Sequence, residues 1–172
     1  MRELISPERI AARVGELAAE IDAWIGNDEA TVVCCLKGAF VFCADLVRAL
    51  KSRRVSVDFL AVESYAGTHT TGSVRLTKDL SIDVRGRKVL VVEDILDTGL
   101  TLDRVLRHLR ETHRPSETRL CVLLDKPAGR KTAIPADWTG FEVGDAFVVG
   151  YGLDCDERYR NLPGIAVLES ID

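Results

Sequence analysis

Little in this sequence points to a membrane or to a nucleic-acid partner. No apolar run approaches the roughly 18 residues that read as a membrane span, and the first residues contain no apolar signal segment. Basic residues do not outnumber acidic ones, since 23 Lys and Arg face 27 Asp and Glu for a net charge of -4. A chain without a basic surplus lacks the electrostatic footprint that nucleic acids and anionic membranes attract. We therefore expect a cytoplasmic protein that acts on small molecules.

Two common nucleotide-binding patterns are also missing. No G-x-G-x-x-G segment marks a dinucleotide fold, and no lysine follows a glycine in the way that nucleoside-triphosphate loops require. Cysteine is present without metal-ligand spacing, and its number is odd. The five cysteines are Cys34, Cys35, Cys43, Cys121 and Cys155. Four of them lie in or beside apolar runs, so cysteines here are expected to be small core residues in a reducing compartment.

What the sequence does contain is an alternation of buried strands and helices. With 172 residues, 47% of them hydrophobic, residues 1–172 are expected to form a single domain with a substantial core. A helix begins at Ser6 and Pro7, a cap followed by a residue suited to the first turn. Short apolar runs rich in β-branched residues predict further strands at Thr31–Leu36, Val55–Val62, Val89–Val92 and Leu120–Leu124. The predicted fold class is α/β, with a mostly parallel sheet flanked by helices.

The most informative stretch runs from Val89 to Thr101. Two carboxylates, Glu93 and Asp94, stand where the central strand is expected to end. A short loop follows with a third acid, two threonines and a glycine, and helical spacing of apolar residues then runs from Leu102 to Arg110. Because α/β sheets bind ligands at the carboxyl ends of their strands, this loop is a candidate site.

The chemistry of this loop narrows the ligand. Hydroxyls and backbone N–H groups at a helix N-terminus suit a phosphate monoester. Three carboxylates beside a phosphate would repel it unless they face sugar hydroxyls or a divalent cation. A sugar phosphate with a vicinal diol fits all of these features. An acidic turn that caps an ordinary helix would explain Asp97-Thr98-Gly99 alone, but the pair Glu93-Asp94 favours a site.

Other charged turns admit two interpretations. Lys37-Gly38 follows one predicted strand, and Lys37 either faces an anion or is a solvated turn residue. Asp125-Lys126 follows another, and Lys126 either donates to a keto oxygen or is a solvated turn residue. Farther along, Phe147 is either a base-stacking platform or a core residue, and Asp154 is either a metal ligand or a turn residue. By default the remaining cations and histidines are solvated surface residues: Arg130, Lys131, Arg160, His69, His108 and His113.

The segment Glu93 to Thr101 resembles the ribose-phosphate-binding signature of type I phosphoribosyltransferases. The other motifs occur in the order and rough spacing of the hypoxanthine-guanine branch of that family: Leu36-Lys37-Gly38, Ser64-Tyr65, Asp125-Lys126, and Phe147 to Asp154 with Arg160. The resemblance covers nearly the whole chain. The chain departs from it at Ala39 and Leu100, where some members carry glycine and lysine, and these departures bear on affinity rather than on activity.

The resemblance implies an activity and a fold. The activity is transfer of ribose 5-phosphate from phosphoribosyl pyrophosphate to the 6-oxopurine hypoxanthine or guanine, giving IMP or GMP and pyrophosphate in purine salvage. The fold is the type I phosphoribosyltransferase fold with a small hood and a flexible lid loop, and the protein is expected to be a homodimer or homotetramer that uses Mg²⁺. The alternatives are an enzyme preferring xanthine or adenine, and an RNA-binding regulator on the same fold. Lys126 argues against adenine, and the net charge argues against RNA.

The resemblance also implies residue roles. Asp97 is the general base that exchanges a proton with the purine, and Ser64 and Tyr65 lie in the lid loop from Glu63 to Ser73. Phosphoribosyl pyrophosphate is bound by Lys37, Gly38, Glu93, Asp94, Asp97, Thr98, Gly99, Leu100, Thr101 and Arg160. The purine is bound by Lys126, Phe147, Val148 and Asp154. Metal is held by Glu93, Asp94 and Asp154. In this family the peptide that joins the residues matching Leu36 and Lys37 can be cis.

Overall fold

The computed structural model describes residues 1–64 and 74–169. Within these ranges lie three α-helices, α1 (Pro7–Ile25), α2 (Phe40–Ala49) and α3 (Leu100–His108). The strands are β1 (Arg2–Ile5), β2 (Ala30–Leu36), β3 (Val55–Ser64), β4 (Val74–Lys78), β5 (Lys88–Leu96), β6 (Glu117–Asp125), β7 (Trp138–Glu142), β8 (Val148–Val149) and β9 (Ile165–Val167). A π-helical turn at Leu109–His113 continues α3, and a 3-10 turn at Pro127–Gly129 follows β6.

The main sheet has the strand order β4-β3-β2-β5-β6-β7. All neighbouring pairs are parallel except β3 and β4, which are antiparallel. The central strands are buried on both faces because α1 and α2 pack on one side of the sheet and α3 on the other. This arrangement confirms the predicted mostly parallel α/β sheet flanked by helices.

Helix α1 begins where its sequence predicts. The Ser6 hydroxyl accepts a hydrogen bond from the backbone N–H of Arg9 at 3.4 Å, and Pro7 occupies the first turn. The helix ends at Gly26, whose φ of 58° lies in the region that glycine adopts without strain. Between these ends an apolar stripe is buried against the sheet: Ile10, Val14, Leu17 and Ile21.

A second, smaller sheet forms the hood. Its order is β1-β9-β8, and both pairings are antiparallel. This hood confirms the expectation taken from the resemblance. Its strands have only two to four residues, too few for a hydrophobic period to identify them from sequence.

Two local expectations are wrong. Strand β5 does not end at Glu93 but runs to Leu96, because its ladder with β6 continues to the pair Leu96–Asp125. His108 and His113 are not solvated surface residues, since their side chains are 29% and 18% exposed and both contact Asp79. In the described ranges, every helix is too short or too polar to cross a bilayer.

Candidate active site

The candidate site lies where parallel strands β2, β5 and β6 end side by side. Lys37 follows β2, Asp97 follows β5 and Lys126 follows β6. Since β2 pairs with β5 and β5 with β6 in parallel, these three turns meet at one edge of the sheet. The edge is the one at which α/β folds bind ligands.

The turn between β5 and α3 is built for an anion. Gly99 has a φ of 79° and is the N-cap of α3, and as a glycine it has no side chain of its own to cap the first backbone N–H groups. The hydroxyl of Thr98 lies 3.5 Å from the N–H of Leu100. A Cβ at position 99 would also overlap the Thr132 hydroxyl, so glycine is required by conformation and by space. The turn lines a pocket of about 130 Å³ whose other walls include Glu93 and Thr101.

The turn after β2 packs directly on the acids of β5. The Leu36–Lys37 peptide is cis, as the resemblance allowed. A Cβ at Gly38 would overlap the carboxylate of Asp94, so glycine at this position lets the backbone approach the acid. The exposed Nζ of Lys37 lies 2.8 Å from Oε1 of Glu157.

Glu93 and Asp94 are two partly buried acids that share one environment. Burial raises the pKa of Glu93 well above its usual value, and the neighbouring Asp94 carboxylate raises it further. Burial also raises the pKa of Asp94, although hydrogen bonds and the Arg160 guanidinium oppose the shift. The pair therefore holds its protons more tightly than free carboxyl groups do, unless a cation approaches it.

The turn that follows β8 presents a second acid and an arginine. Arg160 donates to the carbonyl of Gly152 at 2.7 Å and to the carboxylate of Asp154 at 2.9 Å. It also bonds Glu157 at 3.1 Å, and its buried Nε has no hydrogen-bond partner among the residues that the structure describes. Arg160 is thus a structured site residue rather than a solvated surface arginine.

Lys126 is buried, with 7% of its surface exposed. Its Nζ donates to the carbonyl of Ala146 at 2.7 Å. Phe147, the next residue, is 51% exposed, and Val148 is buried in the hood. These contacts exclude the solvated-turn interpretation and connect the end of β6 to the segment that enters β8.

The guanidinium of Arg130 is enclosed by the ends of β5 and β6. The expectation of a solvated side chain is therefore wrong. The guanidinium donates to the carbonyls of Asp97 at 2.9 Å, Leu96 at 3.2 Å and Ile134 at 3.0 Å, and it pairs with the carboxylate of Asp125. The adjacent Lys131 N–H donates to the carbonyl of Thr98 at 2.9 Å. The one sequence signal was Asp125, an acid at a strand end that needs a cation.

The structure brings together most of the predicted site residues. Through the contacts above, the turns after β2, β5 and β6 and the turn after β8 form one continuous surface. Tyr65 and the rest of the proposed lid loop up to Ser73 lie outside the described residues, and Ser64 ends β3. The lid therefore stays a prediction.

The fold and this edge define a phosphoribosyltransferase. The family model for the phosphoribosyl transferase domain matches residues 3–156, and the chain belongs to that family. It is 44% identical over 172 residues to the hypoxanthine phosphoribosyltransferase of Haemophilus influenzae, covering 96% of this chain and 95% of that one. It is 46% identical over 167 residues to the hypoxanthine-guanine phosphoribosyltransferase of Bacillus subtilis, covering 96% and 92%.

A solved structure agrees with these relatives. The crystal structure of a hypoxanthine-guanine phosphoribosyltransferase from Bacillus anthracis, with HEPES in its active site, superposes with a TM-score of 0.92. The two chains are 46% identical, and the match covers 98% of each. The resemblance first noted in the motifs is confirmed.

Proposed function

We propose that this protein transfers the 5-phosphoribosyl group of phosphoribosyl pyrophosphate to hypoxanthine or guanine, giving IMP or GMP and pyrophosphate. The main support for the proposal is that the anion turn after β5 is directly connected to the segment that contains Lys126. Arg130 and the backbone of Leu96 tie the anion turn after β5 to the segment that carries Lys126. The anion turn can then bind a sugar phosphate while Lys126, next to it, binds a base with a keto oxygen. The names of the relatives point to the same reaction.

The phosphate groups of the substrate have two proposed sites. The 5-phosphate accepts hydrogen bonds from the uncapped N–H groups and hydroxyls of residues 97–101. Pyrophosphate is bound by Lys37, Gly38 and Arg160. Both cations now bond Glu157, so an incoming anion with more charge than one carboxylate can displace that acid.

The acids fit a divalent cation, which we propose to be Mg²⁺. Glu93 and Asp94 supply the carboxylate oxygens that hard cations prefer, and their raised pKa values reflect an uncompensated pair. Asp154 would complete the set, with Arg160 already bonded to one of its oxygens. A cation bound there supplies charge neutralisation for the departing pyrophosphate.

The purine site is proposed between Lys126 and the hood. Lys126 has three N–H donors and uses one on Ala146, so others are available for the keto oxygen. Phe147 is exposed enough to stack on the purine ring. Val148 offers its backbone and Asp154 lies beyond it in the same turn.

Asp97 is the proposed general base. It is exposed at the anion turn, where its charge has the wrong sign to bind phosphate, and its carboxylate suits proton exchange with the purine. During transfer the bond from the sugar carbon to pyrophosphate breaks while a bond to a purine nitrogen forms. Closure of residues 63–73 over the site would exclude water from this step.

The testing experiment is nucleotide formation from phosphoribosyl pyrophosphate and Mg²⁺ with hypoxanthine, guanine, xanthine and adenine in parallel. We expect IMP or GMP with the first two bases and no AMP. A dominant product from xanthine or adenine would overturn the assignment of the base. No nucleotide from any base would overturn the proposed function.

Two wider features belong to the same proposal. We infer a homodimer or homotetramer, for which an apolar groove of about 750 Å³ between α1 and α2, with Phe40 45% exposed, offers a surface. Sedimentation of the wild type and of Phe40→Ser tests this assembly. We also infer a cytoplasmic location, supported by five cysteines that are all unpaired thiols.

A further inference from the structure

One cluster of ligand-type side chains lies outside the proposed active site. Asp79 follows β4, His108 ends α3, and His113 ends the π-helical turn. The Nε2 atom of His113 lies 2.8 Å from Oδ1 of Asp79, and Nε2 of His108 lies 3.0 Å from Oδ2. One ligand atom from each residue lies within 4.8 Å of both others. Two imidazoles and a carboxylate therefore converge on a single point.

The π-helical turn at Leu109–His113 brings the side chains of His108 and His113 to the same side of the helix. Five residues separate His108 and His113, and on an α-helix they would point about 140° apart. The N–H of Arg114 instead bonds the carbonyl of Leu109 at 3.0 Å, a π-type bond that widens the turn. The two rings then meet edge to face with centroids 5.3 Å apart. Single π turns occur frequently at functional sites.

Neighbouring groups orient the ligands. The hydroxyl of Thr112 lies 3.3 Å from Nδ1 of His108, which leaves Nε2 directed at the carboxylate. The N–H of Leu80 donates to Oδ1 of Asp79 at 2.8 Å. The Leu80 donor shares Oδ1 with His113 and so fixes the orientation of the carboxylate. Supporting hydrogen bonds hold imidazoles and carboxylates in place around metals.

We propose that Asp79, His108 and His113 bind one divalent transition-metal ion of the Zn²⁺, Co²⁺ or Ni²⁺ class. Imidazole nitrogen with carboxylate oxygen is a donor set suited to these ions. Three protein ligands leave a further position for water or another small ligand. On binding, each imidazole would coordinate through an unprotonated Nε2, so a proton on that atom would have to move to Nδ1 or leave to solvent.

This site is separate from the carboxylates proposed for Mg²⁺. Helix α3 has nine residues, and its first turn is the anion loop while its last residue is His108. At 1.5 Å per residue the two ends are roughly 13 Å apart. The ion would tie the connection after β4 to the far end of the helix that begins at the phosphate site.

The test is titration of the chelator-treated full chain with Co²⁺, read by visible absorption, followed by Zn²⁺ competition. We expect one equivalent of Co²⁺ with a d–d spectrum of nitrogen and oxygen ligands. His108→Gln and His113→Gln should each weaken binding at least tenfold, because glutamine can still donate to Asp79 but is a poor ligand. His69→Gln is the matched control, since it removes the only other imidazole of the chain, and Asp94→Asn controls for the acids of β5.

Several outcomes would overturn the site. They are wild-type affinity in both histidine variants, an effect of equal size in His69→Gln or Asp94→Asn, or a thiolate-to-cobalt absorption that places the ion on cysteine. If either variant fails to fold, long-range proton–nitrogen NMR of the wild type with Zn²⁺ decides. Shifts of two of the three histidine rings support the site, and movement of one ring or none contradicts it.

Discussion

Asp97 is the residue on which the proposed chemistry depends most directly. Asp97→Asn keeps the size and most hydrogen bonds of the side chain but removes the base, so we expect turnover to fall by about 10²–10⁴-fold. Affinity for phosphoribosyl pyrophosphate should stay close to that of the wild type. The measurement is single-turnover nucleotide formation together with calorimetry, and Asp103→Asn on the outer face of α3 is the matched control. Near-normal turnover in Asp97→Asn would leave this residue with a loop-shaping role only.

Lys126 carries a separate prediction about base recognition. Lys126→Met keeps the apolar stem of this buried side chain and removes its ammonium group, so a charged hydrogen bond worth about 1.5–3 kcal/mol is lost. The loss should appear in purine affinity and leave phosphoribosyl pyrophosphate affinity nearly unchanged. Lys131→Met, at an exposed position five residues on, is the control. Equal weakening of both substrates would assign Lys126 to pyrophosphate or to folding.

At the scale of elements, Arg130 joins the ends of β5 and β6. Arg130→Met would remove the guanidinium from the carboxylate of Asp125 and from three carbonyl oxygens, of which only that of Leu96 keeps a second donor among the described residues, the N–H of Lys126. We expect a loss of about 2–3 kcal/mol in the free energy of unfolding. Arg130→Lys should recover little of it, because an ammonium cannot reproduce the planar fork. Urea unfolding measures both variants, with the exposed Arg104→Met as control. A stable Arg130→Met protein with unchanged substrate affinities would contradict this bracing role.

A second element-scale feature is the connection after β4, which is held by a buried acid. Asp58 accepts hydrogen bonds from the N–H groups of Ser81 at 2.6 Å, Ile82 at 2.8 Å and Phe59 at 2.8 Å. Burial alone would raise its pKa, but these donors and the ammonium of Lys78 outweigh burial, so its pKa lies below the usual value.

The sign of the resulting pH dependence follows from that direction. The folded state binds the Asp58 proton less tightly than the unfolded chain does, so its contribution to stability is present above about pH 4, the usual pKa of aspartate. It is lost as pH falls through the lower folded pKa. Unfolding free energy measured against pH should therefore decline in acid less steeply for Asp58→Asn than for the wild type. Asp83→Asn, an exposed acid of the same connection, should keep the wild-type slope.

The sequence predicts elements well where periodicity and capping are strong. Helix α1 and the central strands have long apolar patterns, and Ser6, Pro7 and Gly26 mark the bounds of α1. Short hood strands carry no period, so β1 and β9 were missed. The same limit explains Arg130 and the histidine cluster, because their partners are distant carbonyls and an acid that only the folded chain brings near. The order of the motifs along the sequence predicted most of the candidate site residues, but not those, such as Arg130, that hold the site together.

At the scale of the whole molecule, the hood lies beside the proposed purine site and is held by long-range strand pairing. Ile165 is fully buried at the middle of the hood sheet, and Ile165→Ala should cost about 2–5 kcal/mol of unfolding free energy. Val167, which lies on β9 with Ile165, pairs with Val148 of β8. We therefore also expect weaker purine affinity, with less effect on the affinity for phosphoribosyl pyrophosphate. Ala166→Gly, on the same strand, changes the side chain least and serves as control. Equal losses for the two substrates would separate the hood from base recognition.

The position of β9 between β1 and β8 has a consequence for folding during synthesis. The main sheet is complete once β7 has left the ribosome, whereas the hood needs residue 2 to meet residue 167. Contacts between such distant residues close slowly, because the loop entropy is lost before any contact forms. A nascent chain therefore forms the proposed 5-phosphate turn first, whereas Arg160 and the proposed purine side are completed only when the final strand arrives. A ligand that needs only the 5-phosphate turn can then bind the ribosome-bound intermediate, whereas one that also needs Arg160 or the proposed purine side cannot.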